Sequence, residues 1–205
     1  MSYGEMAEDI RDMMDQLGLS RSIIIGHSMG GKTAMQFALD FPDRVQKLVC
    51  VDIAPRRYEA RHNKILKALS GLDPSAYHSR QAMELALAPC IPDIQVRRFL
   101  LKGVHLEEGT FRWRMGIHEI AGNYDKLSAE IKGSGVFDGP VLFVRGELSD
   151  YLRPEDEPRI LRSFPNAKFC CIPNASHWVH ADNPEGFRRP VAEFLEQPQR
   201  TASRR

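Results

Sequence analysis

Residues 23 to 33 read Ile-Ile-Ile-Gly-His-Ser-Met-Gly-Gly-Lys-Thr, a short apolar run that enters a glycine-rich turn and continues into helix-forming sequence. Ser28 sits at the apex between Gly26 and Gly30. This is the G-x-S-x-G pattern of a nucleophile elbow, where a sharp strand-to-helix bend holds a serine hydroxyl clear of the strand end. The letters from Gly26 to Thr33 also spell G-x-x-x-x-G-K-T, the phosphate-cradling P-loop, which needs the same strand–turn–helix context. The stretch alone fits either chemistry, and both require an α/β layer around it.

The flanking sequence supplies one. Ser2 and Glu5 form a capping box, after which Met6, Ile10, Met13, Met14 and Leu17 recur at helical spacing up to Gly18. Ile23 to Ile25 is apolar enough to be expected inside a parallel sheet. A helix follows from Gly31 to about Phe41, and Leu48 to Val51 is a buried strand ending at Asp52. Later strands are expected at Val141–Val144 and Lys168–Ile172, with helices over Glu155–Phe164 and Pro184–Leu195. Strands alternating with helices make the fold class α/β, a mainly parallel sheet with flanking helices. Residues 55–135 break the pattern, with helices near 61–69, 80–87 and 94–101 and one extended piece near Phe111 to Met115. They are read as a helical insertion over the sheet, which would shape or gate a pocket. The chain thus divides into 1–54, the elbow half of the core; 55–135, the insertion; 136–196, the rest of the core; and 197–205, a disordered polar tail.

Composition narrows the function. A formal charge of +1 over 205 residues gives no field suited to nucleic acid or an anionic membrane, so a small molecule is the expected partner. No apolar run approaches the ~18 residues of a membrane span. Cys50, Cys170 and Cys171 lie in apolar runs, read as buried thiols, and the four cysteines have no metal-binding spacing. A reducing cytoplasm without metal or organic cofactor is the expected setting. His62, His78, His105 and His118 are read as surface or packing residues.

Chain order separates the two chemistries. Ser28, Asp150 and His177 follow successive strands in the order serine, acid, histidine. A serine hydroxyl is a poor nucleophile at neutral pH; it needs an imidazole to take its proton and a carboxylate to fix the imidazole's tautomer. The P-loop alternative draws on Leu48-Val49-Cys50-Val51-Asp52, a strand ending in an acid like a magnesium-holding segment, and would give Lys32 to a nucleotide phosphate.

Three blocks carry a resemblance: Gly26-His27-Ser28-Met29-Gly30-Gly31-Lys32-Thr33-Ala34-Met35, Val51-Asp52-Ile53-Ala54-Pro55, and His177-Trp178-Val179-His180-Ala181-Asp182-Asn183-Pro184. Together they resemble the α/β-hydrolase fold family, within it the small carboxylesterase branch. The resemblance implies hydrolysis of a carboxylic ester or thioester. Ser28 is then the nucleophile, His177 the base, and the Met29 backbone N–H one half of the oxyanion hole; residues 55–135 correspond to a cap. It implies Asp150 as the acid, with the position of Asp52 as the alternative used by some relatives. His27 and Trp178 are candidates for substrate contact, and Trp178, Val179, Trp113, Phe111 and Met115 for pocket walls.

Members of that family carry several strands before the elbow helix, including a loop with the second oxyanion N–H. The chain starts at that helix, so the expectation is the second half of the fold. The elbow strand would then lie at an open edge prone to self-association, with weakened activity. A non-catalytic hydrolase completed by a partner is the further alternative.

Overall fold

The computed structural model describes residues 1–133 and 135–198; most of the predicted tail, residues 199–205, lies outside them. Helix α1 (Tyr3–Gln16) begins where the capping box places it, the Ser2 hydroxyl accepting the Glu5 N–H at 3.3 Å. Its buried face keeps part of the apolar face expected: Met14 is buried and Met6 and Ile10 half-buried. Tyr3, Ala7 and Met14 are buried, while Met13 and Leu17 are 52% and 63% exposed. Strand β1 (Ser22–His27) leads through Ser28 into α2 (Met29–Asp40), which buries Ala34, Phe37 and Ala38, and β2 (Val45–Val51) follows.

Residues 58–128 form one compact unit, and residues 2–57 with 129 onward another. The first unit contains α3 (Asn63–Ser70), α4 (Arg80–Leu87), α5 (Ile94–Leu101), the hairpin β3 (Val104–Glu107) and β4 (Thr110–Trp113), α6 (Ile117–Gly122) and α7 (Tyr124–Ser128). Leu69, Met83, Leu87, Leu101, Val104 and Ile117 form its core, with Phe111 and Trp113 packed against it. The hairpin corrects the sequence expectation of a single extended piece. Glu108 and Gly109 both take positive φ (48° and 79°), as a two-residue hairpin turn requires. Glu at the first of these positions disguised the turn, since Asn or Asp is its usual signal.

The second unit resumes with β5 (Val141–Gly146), α8 (Glu157–Ser163), β6 (Ala167–Ile172), α9 (Val179–Asp182) and α10 (Pro184–Glu196). Its sheet has the order β1-β2-β5-β6 with every pair parallel. Alternation along β2 sends Val49 and Val51 to the face covered by Val191 and Phe194 of α10. Cys50 faces α2, its Sγ 4.0 Å from the Gly31 carbonyl. Lys47 is buried and donates to the carbonyls of Phe194, Leu195 and Gln197 at 3.0, 2.5 and 2.6 Å, satisfying the C-terminal end of α10. Gln197, expected to be frayed, is thereby held.

Two expectations for this sheet need correction. Among the described residues β1 is an edge strand, as the half-fold expectation has it and not interior as its apolarity suggests, and its Ile23 and Ile25 are 39% and 51% exposed. Cys171, near the C-terminal end of the opposite edge strand β6, is also exposed; Cys170 is half-buried and Cys50 buried. The carboxyl ends of all four parallel strands lie on one side of the sheet, where ligand chemistry collects in open α/β folds.

Candidate active site

Ser28 is the single residue between β1 and α2, held at φ 54°, ψ −122°. A non-glycine residue pays for that conformation, and here the backbone around it compels it: the Ser28 N–H donates to the Val51 carbonyl at 3.0 Å and its own carbonyl accepts from Gly31 at 2.9 Å. A Cβ on Gly26 would lie 2.2 Å from the Gly30 carbonyl oxygen, and one on Gly31 would lie 2.5 Å from the Ile53 side chain. One on Gly30 would meet nothing within 4 Å. The steric requirement at the elbow therefore falls on Gly26 and Gly31, not on both glycines of G-x-S-x-G.

Asp52 follows the last residue of β2 at positive φ (52°) and is fully buried. Its Oδ1 accepts the Gly146 N–H at 3.0 Å, and its Oδ2 accepts the Ser149 hydroxyl. These bonds hold the carboxylate over the ends of β2 and β5 and compensate its loss of water.

His177 must travel furthest. It leaves β6, at one edge of the sheet, and reaches Ser28 at the other, three strand spacings or about 14 Å away. The loop lies directly on the end of β5: the Leu148 N–H donates to the Ala175 carbonyl at 2.9 Å, and a Cβ on Gly146 would collide with the Ser176 and Ala175 carbonyl oxygens at 2.3 and 2.5 Å. Asp182 accepts the Ser176 N–H at 2.8 Å from the far side. At the loop's end, His177 Nδ1 is 2.8 Å from Asp52 Oδ2 and Nε2 is 3.0 Å from Ser28 Oγ. A carboxylate can only accept, so Nδ1 carries the hydrogen, and Nε2 is the ring nitrogen that faces the hydroxyl. The Tyr151 ring stacks on the imidazole, centroids 3.9 Å apart at 25°.

The structure brings Ser28, His177 and Asp52 together, the alternative of the two carboxylates expected, and leaves the preferred Asp150 out of contact with His177. The turn after β5 points Ser149 inward to Asp52, while Asp150 is directed to the Arg153 guanidinium at 3.3 Å and its side chain is 45% exposed. Met29 opens α2, so its N–H belongs to the first turn, where helical amides have no partner within the helix. His27 and Trp178 lie beside the site, their rings 4.7 and 5.8 Å from that of His177. Trp113 and Phe111 pack in the core of 58–128, where the Trp113 indole donates to the Leu72 carbonyl at 3.3 Å. Ser149 and Tyr151 have no signal in the sequence, since a serine and a tyrosine in a turn carry no motif.

Lys32 answers the P-loop alternative. Its side chain is buried, with Nζ donating to the Ala129 carbonyl at 2.5 Å and lying 5.4 Å from the centre of the Tyr3 ring. Burial above all, with Arg56 nearby, pulls its pKa down to about 7. An amine packed in that way is not presented to a phosphate. Among the described residues no cluster of His, Cys, Asp and Glu is arranged to hold a metal ion.

Comparison with known proteins places the fold in a family. Residues 1–85 match the family model of the α/β-hydrolase fold. A solved structure of a marine microorganism esterase superposes with a TM-score of 0.91 at 42% identity, covering 95% of this chain and 78% of that one. The chain is 33% identical over 196 residues to esterase YbfF of Escherichia coli, covering 95% of itself and 75% of that protein. It is 36% identical over 200 residues to the mouse sn-1-specific diacylglycerol lipase ABHD11, of whose length it spans 65%. From this likeness along nearly all its residues, and from the fold that carries Ser28, the chain belongs to the α/β-hydrolase fold family, among its carboxylesterase-like members.

Proposed function

We propose that the protein is a serine hydrolase that cleaves a carboxylic ester or thioester through an acyl-serine intermediate. The observation that carries this reading is the placement of one imidazole between the Ser28 hydroxyl and the buried Asp52 carboxylate. Ser28 Oγ attacks the acyl carbon as its proton passes to His177 Nε2. Asp52 holds the tautomer and balances the imidazolium, and its bonds to Gly146 and Ser149 keep it in place. The Met29 N–H stabilises the oxyanion that forms on the acyl carbonyl. His177 then protonates the departing alkoxide or thiolate, and in the second half activates the water that attacks the acyl-enzyme. Each step uses only the side chains and the main-chain amide named.

The relatives' names support the ester class without resolving the substrate: one names diacylglycerol, the others an esterase. The substrate class assigned is therefore the carboxylic ester of a small molecule. The test is hydrolysis of p-nitrophenyl acetate with fluorophosphonate labelling. Wild type is expected to turn over and take the label on Ser28, and Ser28→Ala to do neither; a wild type inert to both contradicts the reading. Self-association through the β1 edge is part of the same proposal, supported by the exposed Ile23 and Ile25. Ile25→Lys is expected to shift a concentration-dependent oligomer toward monomer in sedimentation; an unchanged distribution contradicts it. The cytoplasm is the compartment proposed, since the four cysteines are free thiols.

A further inference from the structure

We infer that His27 is a positioning residue that fastens the loop carrying His177 to the nucleophile turn, by a hydrogen bond from its imidazole to the main-chain carbonyl of His177. The role rests on the acyl-serine reading above. His27 is the last residue of β1 and is peptide-bonded to Ser28. Its Nε2 lies 2.8 Å from the His177 carbonyl oxygen, 150 residues further along the chain. A carbonyl can only accept, so Nε2 carries the hydrogen. The two residues that exchange a proton are thus joined twice: by their own contact at 3.0 Å, and by a backbone link through the neighbour of one and the carbonyl of the other.

The second link matters because of the distance the loop has come. His177 arrives at Ser28 from the opposite sheet edge, and Asp52 and Tyr151 restrain its ring. His27 restrains its backbone, on the side facing the serine. A displacement of about 1 Å between reacting groups costs up to ~10²-fold in rate, so a fixed carbonyl is a direct control on the chemistry. The His27 ring also packs against its surroundings, 5.5 Å from Trp178 and edge-on to His180 at 5.1 Å. Burial lowers its pKa, and the neighbouring His177 and His180 lower it further against the opposing bond to the carbonyl. Both effects disfavour a second charge beside an imidazole that becomes cationic during turnover.

Two variants separate the donor from the ring. His27→Phe keeps an aromatic ring and removes the N–H; His27→Gln removes the ring and returns a donor nitrogen at about the same reach. Turnover of p-nitrophenyl acetate is measured per serine titrated with a fluorophosphonate, so unfolded molecules are not counted. His27→Phe is expected to lose roughly 10–100-fold in kcat with KM within about twofold, and His27→Gln to recover to within about fivefold of wild type. Long-range ¹H–¹⁵N NMR of wild type is expected to place the His27 proton on Nε2. A His27→Phe variant as fast as wild type would overturn the role. So would a His27→Gln variant as slow as His27→Phe, or a wild-type proton on Nδ1. Where His27→Phe does not fold, the turnover of His27→Gln and the proton's position still decide: a loss beyond about fivefold in His27→Gln overturns the role. A wild type that neither labels nor hydrolyses overturns the esterase reading and this role with it. A labelled wild type matched by His27→Phe overturns this role alone.

Discussion

Asp52 and His177, 125 residues apart, meet at 2.8 Å between Oδ2 and Nδ1, although Asp52 follows β2 and not the later strand that precedes the usual acid. The contact fixes which ring nitrogen holds the hydrogen. In ¹H NMR, the His177 Nδ1–H is expected as a resolved downfield resonance that disappears in Asp52→Asn and persists in Asp150→Asn. Loss in Asp150→Asn instead would assign the acid to the exposed turn.

The Ser149 hydroxyl donates to the same Asp52 oxygen that receives His177. Its removal leaves a buried carboxylate short of one donor, and hydrogen bonds to charged groups are worth about 1.5–3 kcal/mol. Ser149→Ala is expected to lose roughly 10–100-fold in kcat, the fold-change that energy converts to, while fluorophosphonate still reaches Ser28. A variant as fast as wild type would show that Gly146 and His177 alone suffice to hold the carboxylate.

The elbow glycines differ in what surrounds them. Gly30→Ala meets open space and is expected to keep activity within about threefold, helped by alanine's helix preference. Gly26→Ala drives a methyl into the Gly30 carbonyl and is expected to lose at least ~10²-fold in kcat or fail to fold. Equal effects of the two substitutions would contradict the geometry of the turn.

Lys32 has a native pKa of about 7 against an ordinary value of 10.5. Between those values the unfolded chain binds a proton that the native chain does not, so stability rises with pH through this window, by up to about 1.4 kcal/mol per pH unit for one proton. Below about pH 7 the amine is charged in both states and its contribution to the slope ends. Lys32→Met is expected to flatten the rise of urea-unfolding free energy from pH 7 to 10 while leaving ester turnover within about threefold, since Lys32 touches Tyr3 and Ala129 rather than Ser28. A slope equal to that of wild type would contradict a depressed Lys32.

Much of this was legible in the chain because local rules act locally. The N-cap at Ser2, the helices at 80–87 and 94–101, and the strands around Val49 and Phe143 follow from spacing within each segment. The elbow and His177 were legible as a serine between glycines and a histidine after the last strand. Which acid meets His177 was not, because the answer depends on which of two neighbouring turn residues, Ser149 or Asp150, faces inward. Apolarity alone points Ile23 and Cys171 inward, because it marks a strand but not whether it lies at an edge; the open edge at β1 was legible from the order of elements instead. Ser149, Tyr151 and the His27 link exist only where loops from different strands converge.

The most direct measurement compares steady-state kcat for p-nitrophenyl acetate in wild type, Asp52→Asn and Asp150→Asn, each normalised to serine titrated. Removing the acid of a serine–histidine–acid set costs about 10⁴-fold in kcat where it has been measured in a serine protease. Asp52→Asn is expected to fall by roughly 10³–10⁴-fold and Asp150→Asn to stay within about twofold. A collapse in Asp150→Asn with Asp52→Asn near wild type would contradict the assignment of Asp52 to His177.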